Sequence, residues 1–155
     1  MSFWGSLFNS IASASTEVRS KQQEYAAQYA QMNEYQLKRE YMSKAANDTL
    51  LDSVVGIGLG GTDSIAQTNA LKSECAARGL VISESEYREQ YTQWASKYSG
   101  MNIISLSLDH SKVKRQYQEY RANMMDSNSA FYQLSLLKPR MEALKGEYKK
   151  RELSW

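Results

Sequence analysis

A chain of 155 residues with 42% hydrophobic content, a mean hydropathy of −0.61 and a formal net charge of +2 has room for one domain, or for a few long helices that bury their faces against neighbours. Its single cysteine, Cys75, excludes an intramolecular disulfide and any multi-cysteine metal site, and its single histidine, His110, leaves a Ser-His-Asp triad only one residue to rest on. One proline and eight glycines make helix breakers few, and eleven tyrosines against three phenylalanines suit half-buried interfaces where an apolar ring carries a wet hydroxyl.

The first element, 1–15, is an uncharged amphipathic segment. In MSFWGSLFNSIASAST, Phe3, Trp4, Leu7, Phe8 and Ile11 form one apolar stripe on a helix, opposite serines and Asn9. Such a stripe suits insertion into a membrane interface or into a groove on a partner subunit. It lacks the Lys/Arg-rich start of a secretory signal, and no stretch approaches the roughly 20 apolar residues of a membrane-spanning helix.

Residues 16–48 have neither Gly nor Pro and are dense in Gln, Glu, Ala, Lys and Met, which predicts one long helix. Its apolar residues occupy two faces: Val18, Tyr25, Tyr29 and Met32 on one, Ala27, Ala30, Leu37, Tyr41 and Ala45 on the other. A helix adhesive on two sides touches two neighbours, as in a bundle or ring.

The glycine-rich apolar segment, 49–63, contains SVVGIGLGGT, with Gly56, Gly58, Gly60 and Gly61 in six positions. As a helix it carries a penalty of roughly 1 kcal/mol per interior glycine. Three arrangements compensate: close helix packing through the small residues Gly56, Gly60 and Ser64, a bilayer-crossing strand donated to an oligomeric barrel, or a hinge between helices. A phosphate loop is disfavoured, because GLGGTD lacks the lysine that such loops carry.

Two shorter helices follow over 64–100. An alanine face (Ala66, Ala70, Ala77) runs to a stop at Gly79, and Ser83 with Glu86 forms a capping box that opens the next helix. Tyr87, Tyr91, Trp94 and Tyr98 recur on one face of it, an aromatic stripe for a core or subunit interface, or alternatively a base-stacking platform. Residues 101–110, with Ile104, Leu106 and Leu108 alternating with serines, predict an extended connector or a short strand.

The last element, 111–155, reads as a long basic helix kinked near Pro139. From Lys112 onward the net charge is +5, against −3 before it, and Lys112, Lys114, Arg115, Lys149, Lys150 and Arg151 could meet DNA or anionic lipid; a solvated helix face is the plainer reading. Trp155 beside that basic end suits an interfacial anchor or a docked tail. No spacing of Cys75, His110 and the acids suggests a catalytic constellation or a metal site, and no cofactor is expected.

The uncharged MSFWGSLFNSIASAS, the helix QQEYAAQYAQMNEYQLKREYM and the glycine segment VVGIGLGGTDSIAQTNALKSE occur in an order that resembles the small internal virion (ejection) proteins of short-tailed bacteriophages, and is similar to the DNA pilot proteins of small single-stranded-DNA phages. The resemblance covers roughly the first eighty residues and rests on arrangement and composition; many members carry longer apolar tracts than this chain. It implies a virion protein held near the portal with other internal proteins, then released to the host envelope. There it would self-associate into part of a conduit through which DNA passes without sequence specificity.

The resulting expectation is a non-enzymatic, all-α protein, stable mainly as an oligomeric ring or bundle and acting in genome delivery. A head-to-tail adaptor without membrane contact and a helical nucleic-acid-binding protein are the alternatives.

Overall fold

The computed structural model describes the backbone over residues 3–54 and 61–155, and the side chains over 16–44 and 63–155. Among the described residues the protein is all-helical: α1 (Phe3–Ala30), α2 (Glu34–Val54), α3 (Gly61–Ala77), α4 (Glu84–Ser99), α5 (Ile103–Asn123) and α6 (Asn128–Lys150). The chain divides into two compact units, Met1–Cys75 and Ala76–Trp155.

In the first unit the helix expected over 16–48 is broken. Residues 31–33 form a turn, and Asn33 and Gln36 cap α2 reciprocally: the Gln36 amide donates to Asn33 Oδ1 at 2.8 Å, and the Asn33 amide donates to Gln36 Oε1 at 3.0 Å. This is a capping box built from amides, satisfying backbone donors that would otherwise be left unpaired at a helix start. Tyr29, Leu37, Ala66, Ala70, Leu71 and Cys75 are buried. The Tyr25 hydroxyl lies 2.8 Å from both carboxylate oxygens of Asp63, and Lys44 donates to Gln67, so α1 and α2 are each tied to α3.

In the second unit α6 packs against both α4 and α5. Their shared core consists of Tyr98, Leu106, Val113, Leu137, Ala143, Leu144 and Tyr148, flanked by Trp94, Met101, Tyr117 and Leu153. Each of these helices begins on a side-chain cap. The Ser83 hydroxyl accepts from the Glu86 amide, Asn102 Oδ1 from the Ser105 amide, and the Ser127 hydroxyl from the Ala130 amide. Gly79, at φ +70°, occupies the left-handed position just beyond α3, where a side chain would be strained.

Two expectations for this half are corrected. The 101–110 segment is helical from Ile103 onward, because Asn102 caps that helix; of the three alternating apolar residues only Leu106 is buried. The helix expected to run from 111 to 155 is instead two. Residues 124–127 turn the chain, Ser127 caps α6, and Pro139 sits buried inside α6.

Candidate functional site

The most ordered chemistry lies where α4, α5 and α6 meet. Asn102 and the short connection after Gly100 set α5 beside the end of α4, which brings Asp109 within reach of Tyr98. The Tyr98 hydroxyl donates to Asp109 Oδ2. From α6, Arg140 donates through Nε to the Tyr98 hydroxyl at 3.0 Å and through Nη2 to Asp109 Oδ1 at 2.6 Å. Its guanidinium carbon also lies 4.2 Å from the centre of the Trp94 ring, which stacks on Tyr98 at 5.4 Å.

Burial raises the pKa of the Tyr98 hydroxyl, and its hydrogen bond to Asp109 raises it further, against the opposing effect of Arg140. For Arg140, burial alone would lower the pKa; the hydrogen bonds to Tyr98 and Asp109 outweigh it and hold the guanidinium charged. Both oxygens of Asp109 are therefore engaged and its charge is matched. The cluster joins three helices.

A small cavity of about 190 Å³ opens beside this cluster, lined by one glutamine from each helix (Gln90, Gln116, Gln133) together with Trp94, Tyr120 and Arg140. Among the described residues, no group of three or more His, Cys, Asp or Glu side chains is placed to hold a metal ion. No helix among them is long and apolar enough to cross a membrane.

The end of the chain forms a second cluster. Beyond α6, Glu152 adopts φ +58°, its amide donates to the Lys149 carbonyl at 3.1 Å, and the Leu153 amide donates to the Tyr148 carbonyl at 2.8 Å. This pair of bonds is a Schellman turn. It folds the tail back so that Trp155 stacks on His110 at 4.2 Å and meets the edge of Tyr148 at 5.5 Å, with Lys145 Nζ 5.3 Å from the Trp155 ring centre.

The residues singled out by sequence are distributed unevenly around these clusters. In the aromatic stripe, Tyr98 is buried, Trp94 and Tyr87 are half-buried, and the more exposed Tyr91 has its hydroxyl near Gly146 of α6. The stripe thus faces α6 of its own chain. Lys112, Lys114, Arg115, Lys149 and Lys150 are exposed. Arg151 is not a free cation: its Nε binds Glu147 Oε1 at 2.7 Å, and Nη2 reaches the carbonyls of Tyr98 at 3.1 Å and Ser99 at 3.4 Å, capping the end of α4. The side chains of Phe3, Trp4, Leu7, Phe8 and Ile11 lie outside the described residues, as do Gly56, Gly58 and Gly60, while Gly61 opens α3.

Sequence reasoning gave no role to Asp109 or Arg140. Arg140 reaches Asp109 across 31 positions and Tyr98 across 42, and these contacts depend on the helix pairing, so no local signal marks them. Sequence reasoning also left Ile103 out. It is 60% exposed, Ile104 74% and Leu108 69%, on a helix whose opposite side is well buried. No family model matches the chain, and neither a search of curated proteins nor one of solved structures finds a match.

Proposed function

We propose that this chain is a non-enzymatic helical protein that self-assembles, as a virion component acting in genome delivery. That the chain works through an exposed contact surface is supported by one observation above the others: three large aliphatic side chains, Ile103, Ile104 and Leu108, stand on the surface of a capped helix whose own core is already satisfied. Three large aliphatic side chains exposed within two turns of one helix suit an interaction surface. Self-assembly and the role in genome delivery come from the resemblance of the first eighty residues to phage ejection proteins. On that reading the N-terminal stripe and the glycine segment make contacts between subunits or with the envelope.

Mass photometry of the purified chain tests the reading. A discrete oligomer that Trp4→Glu disperses is expected; a monomer at all concentrations would overturn it. A discrete oligomer that is unaltered by envelope lipids would favour a structural connector of the virion.

A further inference from the structure

The outer face of α5 combines two features that call for the same kind of partner. On a helix of 3.6 residues per turn, Ile104, Ser111 and Arg115 fall on the line opposite the buried Leu106 and Val113, with Leu108 just beside it. Ile103 and Lys114 flank that line on one side, and Lys112 on the other. The apolar residues thus occupy the first two turns, and three exposed cations occupy the next two.

Acidic charge is sparse on this surface until Glu119, one turn beyond Arg115. Between Asn102 and Gln118 the only carboxylate is Asp109, and it is turned inward and matched by Arg140. A second copy of α5 laid parallel would bring like charges together, and one laid antiparallel would set the cations of each copy against the aliphatic residues of the other, so self-pairing through this face is opposed. A partner helix would grip a narrow stripe sustained over several turns, whereas here the aliphatic residues fan across the helix and stop at Leu108. An anionic lipid surface supplies both complements at once. Its acyl boundary takes short aliphatic insertions, and its headgroup layer takes lysine and arginine, whose flexible stems let the charge reach phosphate.

We infer that the N-terminal half of α5 is a docking surface for anionic lipid, with Ile103, Ile104 and Leu108 entering the interface and Lys112, Lys114 and Arg115 meeting headgroup phosphates. This deepens the delivery reading by naming a lipid contact in the second unit, separate from the N-terminal stripe, and it does not depend on the state of assembly.

The test is flotation of the full chain on vesicles of phosphatidylcholine, with and without phosphatidylglycerol, at low and high salt. Trp4→Glu is included to remove the stripe's own contribution. In that background, binding to the anionic vesicles is expected to persist and to weaken with salt. Neutralising Lys112, Lys114 and Arg115 to Gln should lower partitioning about a hundredfold, and Ile104→Ser with Leu108→Ser at least about tenfold. Because both aliphatic residues are largely exposed, unchanged circular dichroism should show the variants to be folded.

Three outcomes would overturn the inference. The α5 variants could leave flotation unchanged, assigning any membrane contact elsewhere. The aliphatic pair could disperse an oligomer without affecting flotation, making the face a contact between copies. Or an oligonucleotide could bind in a way that is sensitive to the cations and indifferent to Ile104 and Leu108, making the face a nucleic-acid surface. Flotation can fail while mass photometry still finds a discrete oligomer, so the two readings fall separately.

Discussion

Arg140 holds Asp109 across the α5–α6 boundary, Nη2 to Oδ1 at 2.6 Å, with side chains only 13% and 15% exposed. Little water reaches either charge, so removing one leaves the other unmatched in a poorly solvated place. Arg140→Leu is expected to destabilise the second unit by about 3 kcal/mol. Replacing both residues with leucine should recover much of that loss, because an apolar pair of similar bulk carries no desolvation cost. Urea denaturation followed by tryptophan fluorescence suits the measurement, since Trp94 and Trp155 both lie in this unit. A double variant as unstable as the single one would mean that Tyr98 cannot do without a charged partner.

Tyr98 gives the same cluster a dependence on alkaline pH. Its hydroxyl pKa is raised in the folded protein, chiefly by burial, while in the unfolded chain it sits near 10. Below pH 10 both states keep the proton and this contribution to stability is complete. Above it the unfolded chain loses the proton first, so stability falls as pH rises towards the folded value. Tyr148 is shifted in the same direction by burial. Tyr98→Phe should therefore make the decline above about pH 10 shallower without abolishing it. An identical slope in wild type and variant would show that Tyr98 does not titrate differently on folding.

Part of this molecule was legible from local signals, because some of its punctuation is local. Ser83 caps α4 as its spacing from Glu86 predicts, Gly79 ends α3, and Ala66 and Ala70 are buried together. The misreadings share a cause: a cap overrode a pattern. Alternation in Ile104, Leu106 and Leu108 suggested extended chain, but Asn102 can satisfy the first turn of a helix, and in a helix only Leu106 reaches the core. Helix-forming composition across 31–33 hid the mutual cap of Asn33 and Gln36. The Tyr98–Asp109–Arg140 cluster had no local signature at all, because it exists only once three helices have met.

The cap on α5 gives a direct check on that explanation. Asn102→Ala removes the acceptor for the Ser105 amide, which Asn102 Oδ1 binds at 2.8 Å. A loss of about 1 kcal/mol is expected, with Asn102→Ser and Asn102→Asp close to wild type. Since Met101 and Leu106 border the same core, the change should appear in the fluorescence transition of the second unit. Equal stability of the Ala and Asp variants would mean that the cap does not direct this segment into a helix.

Glu152 offers the opposite kind of change, a substitution that should stabilise. It is the one described non-glycine residue with positive φ, at +58°, and it occupies the left-handed position of the turn that ends α6. Glycine is the residue most at ease there, since a Cβ crowds the following carbonyl in that conformation. The turn is held by its backbone bonds from Glu152 to Lys149 and from Leu153 to Tyr148, and by Leu153 against the core. Glu152→Gly keeps all of these and is expected to add up to about 1 kcal/mol. Leu153→Ala, which keeps the backbone turn but removes its apolar contact, should lose about 1–2 kcal/mol and loosen Trp155 from His110. That loosening would be read as a change in the tryptophan emission. If Glu152→Gly destabilised the protein instead, the entropy that glycine adds to the unfolded chain would outweigh the relief of strain, and the tail would be held by its Leu153 and Trp155 contacts more than by the turn.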